Sequence, residues 1–277
     1  MRAITTIWYR ELLNYSRDRA LIISSVVMTI TMLLVFSFAL GNFDTSMLGV
    51  EKIQYLLPGI IATTIFMTSI SNALSVVTDK TDGFMKEFLV SPTKRSSIAI
   101  GKILGSATTA IAQGTIILVI SSIFSMSYTV SMILGLYVGM IVISMACSSI
   151  GLFIAAKVKS AIGFQMSIQM LMMPMTFLSG AYVPIDLLPN WLRPIVYINP
   201  VTYAVSSFRS IALDTTGISD SVLEKMGLIL KMGDYKITPV VSITIMLIIG
   251  IVFILLAVNA FKRTSITQKV KLRGGMH

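Results

Sequence analysis

Charged side chains are missing from five long stretches of the chain: Ala20–Phe43, Ile53–Thr78, Ile103–Ala156, Ala161–Ile185 and Ile237–Phe261. About 20 apolar residues carry a helix across a bilayer. Four stretches therefore predict one crossing each. Ile103–Ala156, 54 residues long, predicts two, with a turn at the polar patch Ser125–Ser131. The crossings fall at 20–41, 55–77, 102–125, 131–156, 161–181 and 237–261. The fold class predicted is all-α integral membrane, one domain over 1–277, and an even number of spans puts both ends on one side.

The segments between the crossings have patterns of their own. In 1–19, Ile4, Ile7, Trp8, Leu12 and Tyr15 recur at helical spacing among Arg2, Arg10 and Arg17. This predicts an amphipathic helix in the membrane interface, with Trp8 and Tyr15 at headgroup depth; a plain juxtamembrane helix is the equal alternative. In the loop 78–101, Thr81 or Asp82 caps a short helix whose Phe84, Phe88 and Leu89 share one face, ended by Ser91-Pro92. Lipid headgroups or a partner protein must cover that face, and burying Phe88 alone contributes about 1.5–3 kcal/mol. Pro58 opens the second span in its first turn, where its missing N–H costs little. The Gly101/Gly105 and Gly135/Gly139 pairs have the spacing that permits close helix approach.

The segment 182–236 is different. Five of the eight prolines, Pro174, Pro184, Pro189, Pro194 and Pro200, fall within 27 residues. Each lacks a donor and disfavours helix at the residue before it. Its apolar stretches, Val183–Leu192 and Pro194–Phe208, are too short and interrupted to span. Irregular backbone at membrane depth must be covered by protein or water. The segment therefore predicts a re-entrant helical hairpin on the outer side. The chain turns at Ser179-Gly180, dips, turns again near Arg193-Pro194 and emerges by Arg209–Asp214. Trp191, Tyr197 and Tyr203 anchor it at interface depth. The rival, a seventh span over Pro194–Leu213, would bury Arg209 at a cost of about 2.5–3.5 kcal/mol.

Composition and charge assign the sides. Charged residues make up 12% of the chain and hydrophobic ones 55%, against about 25% charged in a soluble domain. The N-terminal segment, 79–102, Lys157–Lys159 and the tail 262–277 hold 16 Lys/Arg against 5 Asp/Glu, and the opposite side 6 against 7. Basic residues in short loops mark the cytoplasmic face. Both termini are expected there, in a cell membrane. The net charge of +10 then reads as topology and contact with anionic lipid, with no nucleic acid required. The first apolar run begins at Ala20, exceeds signal-peptide length and lacks an A-x-A exit, so it predicts a retained span. Cys147, the single cysteine, reads as a small packed residue and forms no intrachain disulfide.

Chemistry is sparse. No G-x-x-x-x-G-K-[ST] loop occurs, and Gly101-Lys102 lacks the upstream glycine. The charge-free stretches offer no ion relay, and no nucleophile, acid–base or metal-ligand constellation falls within the spans. Neither a catalytic nor a metal site is expected, and an energy source would come from another subunit. Two polar stripes stand out. Thr64, Thr68, Ser71, Asn72 and Ser75 share one face of the second span; Gln165, Gln169, Thr176 and Ser179 share one of the fifth, beside Met172 and Met173. They read either as the lining of a path for amphipathic cargo or as hydrogen-bonding glue between helices.

The series Pro174…Phe177-Leu-Ser-Gly-Ala-Tyr-Val-Pro184…Leu188-Pro189-x-Trp191-Leu192…Asn199-Pro200-Val-Thr-Tyr203…Arg209 resembles the signature of ABC-2 type exporter permeases, nearest their drug-resistance, daunorubicin-exporter-like branch. The loop from Gly83 to Pro92, followed by Gly101-Lys102, is similar to that family's cytoplasmic loop, with Phe84 where many relatives carry Thr. The resemblance implies a permease half that dimerises with a second copy and pairs with two copies of a separate ATP-binding subunit, which holds ATP and Mg; this chain itself carries no cofactor. It implies that Asp82–Pro92 is a coupling helix docking through Asp82, Phe84, Glu87, Phe88, Leu89 and Pro92. Thr64, Thr68, Asn72, Gln165, Gln169 and Thr176 would face the substrate pathway. Ser179, Gly180, Pro184, Pro189, Trp191, Asn199 and Pro200 would form the outer gate. A lipid-linked glycan exporter and a non-transporting scaffold that recruits an ATPase are the alternatives.

Overall fold

The computed structural model describes residues 2–39, 45, 50–81, 94–124, 126, 128–213, 218–232 and 235–263. Five helices are long and apolar enough to cross a membrane: α2 (Arg19–Ala39), α3 (Lys52–Ser71) continued by α4 (Leu74–Thr81), α5 (Arg95–Ser121), α6 (Val130–Lys157) and α11 (Pro239–Arg263). The sixth predicted crossing is α7 (Ala161–Phe177), of 17 residues. At 1.5 Å per residue it measures about 25 Å, the lower limit for a span. It stops four residues before the predicted end because Gly180, at φ +81°, turns the chain.

Lipid is as apolar as leucine, so close backbone approach, more than hydrophobic burial, selects helix contacts in a bilayer. The sequence meets that demand with small residues. On α11, Gly250 faces Ala146 of α6, where an added Cβ would sit 3.2 Å away. Gly151 of α6 faces the Ile70 carbonyl of α3 at 2.8 Å by the same measure. The central helix α3 touches α2, α5, α6, α7 and the later α9 (Pro200–Ala212). By contrast α2 buries only Leu33.

Both Gly-x-x-x-Gly pairs are seats for helices that do not span. The helix α1 (Arg2–Arg17) runs lengthwise along α5. Ile7 lies on Gly101 and Glu11 on Gly105, where an added Cβ would come within 2.9 and 2.6 Å of their Cβ atoms. On α6, Gly135 receives Ile211 and Gly139 receives Phe208, both from α9. Trp8 and Tyr15 hydrogen-bond to α5: Trp8 Nε1 donates to Thr108 Oγ1 at 3.0 Å and Tyr15 OH to Gln113 Oε1 at 2.5 Å. Burial pushes the Tyr15 phenol above its ordinary value, which keeps it a donor.

The second span is not one continuous helix. It begins at Lys52, so Pro58 lies inside it as the seventh residue and not in the first turn as expected. It breaks at Asn72-Ala73, where Ala73 N bonds back only to Ile70 O, at 3.1 Å, before α4 resumes.

The far end of the bundle, opposite α1 and α4, is a string of short pieces. They are 3₁₀ turns at Ile185–Leu187 and Asn190–Leu192, α8 (Arg193–Ile198), α9, α10 (Asp220–Lys225), and a two-stranded antiparallel hairpin of β1 (Leu230–Met232) and β2 (Tyr235–Ile237). The hairpin departs from the all-α expectation. Each proline here begins a helical piece: Pro184 and Pro189 immediately precede the 3₁₀ turns, Pro194 stands in the first turn of α8, and Pro200 opens α9. A first-turn position tolerates the missing N–H.

Candidate functional site

At the α1 end, the residues predicted to dock a partner, Asp82, Phe84, Glu87, Phe88, Leu89 and Pro92, lie outside the described residues. Their flanks are held firmly. Asp79, at the end of α4, accepts from Arg10 Nη2 at 2.8 Å and lies 2.6 Å from Lys102 Nζ. The second contact is an ion pair without hydrogen-bond alignment at Oδ2. Lys102 also donates to Glu11 Oε1 at 2.6 Å and Ser75 Oγ at 3.1 Å. The next residue, Lys80, donates to the Ala155 carbonyl at 2.7 Å and the Ala156 carbonyl at 3.2 Å, at the C-terminal end of α6, where carbonyls and the helix dipole favour a cation. Beyond the loop, Arg95 Nη1 donates to the Lys262 carbonyl of α11 at 2.9 Å. Two charges counted on the cytoplasmic side are therefore buried: Asp79 is 5% and Lys102 3% exposed. Sequence reading missed this cluster; its only trace was the placing of Lys102 at the first turn of an apolar helix.

The predicted pathway residues do not come together in one chain. Asn72, at the break in the second span, donates to Thr109 Oγ1 of α5 at 2.5 Å. Thr176 is buried and donates to the Met172 carbonyl at 2.7 Å. Asn72 thus bridges two helices, whereas Thr176 bonds back within its own. Thr64 and Thr68 are half-buried on α3. Gln165 and Gln169 are exposed, together with Ile162, Met166, Met170 and Met173. The packed face of α7 is Phe164, Ile168, Met172 and Thr176, one residue per turn. The fifth-span stripe thus divides between an inward and an outward face.

At the far end the gate residues also divide. Ser179, Gly180, Pro184 and Asn199 are buried, Pro200 is half-buried, and Pro189 and Trp191 are exposed. Ser179 Oγ donates to the Thr176 carbonyl at 2.6 Å and accepts from Ala181 N at 3.2 Å. Asn199 caps α9 by accepting from Val201 N at 3.0 Å, while its amide reaches back to the Met175 carbonyl at 2.6 Å. One side chain thereby ties the start of α9 to the end of α7.

The organising residue here is Arg209, which the sequence placed where the chain emerges. It is 1% exposed. Its Nη2 donates to the Ala181 carbonyl at 2.8 Å and its Nε to the Tyr55 carbonyl at 3.3 Å. Its Cζ lies 4.0 Å from the centre of the Tyr55 ring, and Tyr55 OH donates to the Met226 carbonyl at 2.8 Å. Among the described residues no carboxylate pairs with it. Carbonyl dipoles and a ring face offset the desolvation of the cation instead. Burial that excluded a seventh span on sequence grounds is accommodated in α9, 13 residues long and too short to cross. Phe36 of α2 stacks on Tyr182, ring centres 4.3 Å apart, and completes this cover.

The apolar helices, with a clamp at one end and a jointed cover at the other, define a multi-pass membrane protein. The chain belongs to the ABC-2 type transporter family, whose sequence profile matches residues 2–213. Among its relatives is the inner membrane transport permease YadH of Escherichia coli strain K12, 23% identical over 209 residues, 75% of this chain and 81% of that one. The putative transport permease ycf38 of Porphyra purpurea is 23% identical over 255 residues, 89% of this chain and 85% of its own length. The probable multidrug ABC transporter permease YbhR of Escherichia coli strain K12 is 28% identical over 161 residues, 57% of this chain and 44% of that relative.

Proposed function

We propose that this chain is the membrane-spanning half of an ATP-driven exporter, moving a hydrophobic or amphipathic cargo, drug-like or lipid-like, out of the cell. It crosses the cell membrane six times with both termini in the cytoplasm. The observation that carries this reading is membership of the ABC-2 family over residues 2–213 in a sequence without a phosphate-binding loop of its own. A separate subunit, two copies per assembly, binds ATP and Mg and docks on Asp82–Pro92. A second copy of this chain completes the path. The multidrug name of the YbhR relative supports the cargo class. The exposed Gln165 and Gln169 support a polar lining that only a second copy closes.

Gentle solubilisation from the native membrane, followed by mass spectrometry of copurifying chains, tests the reading. A stoichiometric soluble protein bearing a phosphate-binding loop is the expected result. Phe88→Ala and Glu87→Lys should each release it while this chain stays in the membrane. Recovery of the chain alone across several detergents and salts would point to a scaffold.

A further inference from the structure

A cavity of about 280 Å³ lies between the α1–α2 elbow, the break in the second span and α5. Its floor includes the buried Glu11, Ser106 and Thr109, and its mouth the exposed Asp18, Leu21 and Ser71. Three independent features converge on it. First, helix continuity fails there: Ser71, Asn72, Leu74 and Ser75, on both sides of the break, all line it. Interrupted membrane helices offer backbone and side-chain groups that intact helices keep to themselves, and such breaks line cavities. Second, ten of its twelve lining side chains carry an oxygen and none is Lys or Arg, and of those oxygens the Lys102 ammonium behind the floor takes Glu11 Oε1 and Ser75 Oγ. Asn72 gives its amide N–H to Thr109, which leaves its carbonyl oxygen out of that bond. Third, the charges are unequal. Glu11 is paired with Lys102, whereas Asp18 forms no ion pair among the described residues; its Oδ1 caps α2 by accepting from Leu21 N at 3.0 Å. Arg17 and Arg19 flank Asp18 but are exposed and do not line the cavity.

We infer that this cavity binds the ammonium head of a cationic amphiphile. The remaining side-chain oxygens and a carboxylate at the mouth that has no ion-pair partner among the described residues complement a group that is all donor and positively charged. The volume falls just below the roughly 300–1,000 Å³ of pockets that enclose whole drug-sized ligands, so it fits a head group. The tail lies outside, along the exposed Leu21, Met28 and Val35, which share one face of α2. On the export reading proposed above, on which its place in the membrane rests, the site faces the inner leaflet and loads cargo before the path formed with a second copy. The head group belongs either to an amine-bearing lipid or to a soluble amine.

The chain holds two tryptophans, Trp8 and Trp191, and Trp8 is one turn from Glu11. The full-length Trp191→Phe protein in phosphatidylcholine nanodiscs therefore reports on the site through one fluorophore. A spin-labelled long-chain primary ammonium should quench Trp8 saturably, and the same tail carrying a sulfonate should not. Asp18→Asn keeps an N-cap residue and removes the charge. It should raise half-saturation about tenfold, the loss expected for one partly screened charge contact. Ser71→Leu should block the mouth and abolish saturation. Equal binding of the sulfonate, or an unchanged half-saturation in Asp18→Asn with its fold intact, overturns the assignment. Competition by phosphatidylethanolamine in the nanodisc identifies a lipid amine as occupant, and its failure to compete identifies a soluble amine. No ATPase is present, so a failure here is separate from a failure of the exporter reading.

Discussion

Arg209 lies over the ring of Tyr55 with its Cζ 4.0 Å from the ring centre, while its Nε donates to the carbonyl of the same residue. One residue of the second span thus holds the cation by both its ring and its backbone. The other end of the guanidinium reaches Ala181, just past α7. Removing the side chain forfeits hydrogen bonds from a charged group, about 1.5–3 kcal/mol each, and a desolvated cation–π contact of about 2 kcal/mol. Arg209→Met, which keeps much of the volume, should lower the thermal midpoint of the purified protein clearly. Arg209→Lys should recover only part, because a point charge cannot span both carbonyls and the ring. Thermal size-exclusion profiles of the three proteins check this; equal midpoints for Arg209→Lys and wild type would contradict it.

The buried pair Asp79–Lys102 makes a different prediction. Its side chains are 7% and 4% exposed. Breaking such a pair from one side costs about 3–5 kcal/mol because the remaining charge stays buried and unpaired, whereas removing both can be close to neutral. Glu11 and Arg10 complicate the simple case, since each retains a charge when its partner goes. Asp79→Asn and Lys102→Met should each lower the yield of folded protein more than the double substitution does. A double-mutant cycle on thermal midpoints measures the coupling, and strict additivity would show that the two residues act separately.

The glycine seats should differ in tolerance. An added methyl at Gly105 meets Cβ of Glu11 at 2.6 Å, close to the α1 backbone, whereas at Gly139 it meets Cε2 of Phe208 at 2.8 Å, the far end of a side chain that can shift. Overpacking costs about 1–3 kcal/mol. Gly105→Ala should sit at the upper end and Gly139→Ala at the lower. The ranking is read from melting of the two variants side by side.

Gln169 and Asn72 separate lining from glue. Gln169 is exposed, so Gln169→Leu should change cargo preference in a transport assay while expression holds. Asn72 bonds to Thr109 across two helices. Asn72→Leu should lower expression and melting temperature by the loss of about 0.6–1.7 kcal/mol typical of interhelical hydrogen bonds. A fall in expression alone for Gln169→Leu would make it glue as well.

The long crossings were legible because a charge-free run of more than 20 residues has few other ways to satisfy its backbone in a bilayer. The same logic failed at α7, where Gly180 needs a left-handed φ and ends the helix before the apolar run ends. The break at Asn72-Ala73 left no trace either, since Asn72 is one polar residue in a stripe of several. Prolines marked the irregular far end, and their place just before or within the first turn of each helical piece follows from the missing N–H. Burial of Arg209, Asp79 and Lys102 could not be read, because each is tolerated through partners far away in sequence: Arg209 through Tyr55 and Ala181, Asp79 and Lys102 through α1. Composition penalises a buried charge and cannot see the carbonyl or carboxylate that offsets it.

The two glycine seats have a mechanical consequence. One lies on α5 and holds α1; the other lies on α6 and holds α9. Because α5 and α6 pack against each other, the clamp formed by Arg10, Glu11, Asp79 and Lys102 and the cover at the far end rest on one packed pair of helices. Moved as a unit, that packed pair would carry both seats with it, so the two ends of the bundle share a common support along the described helices.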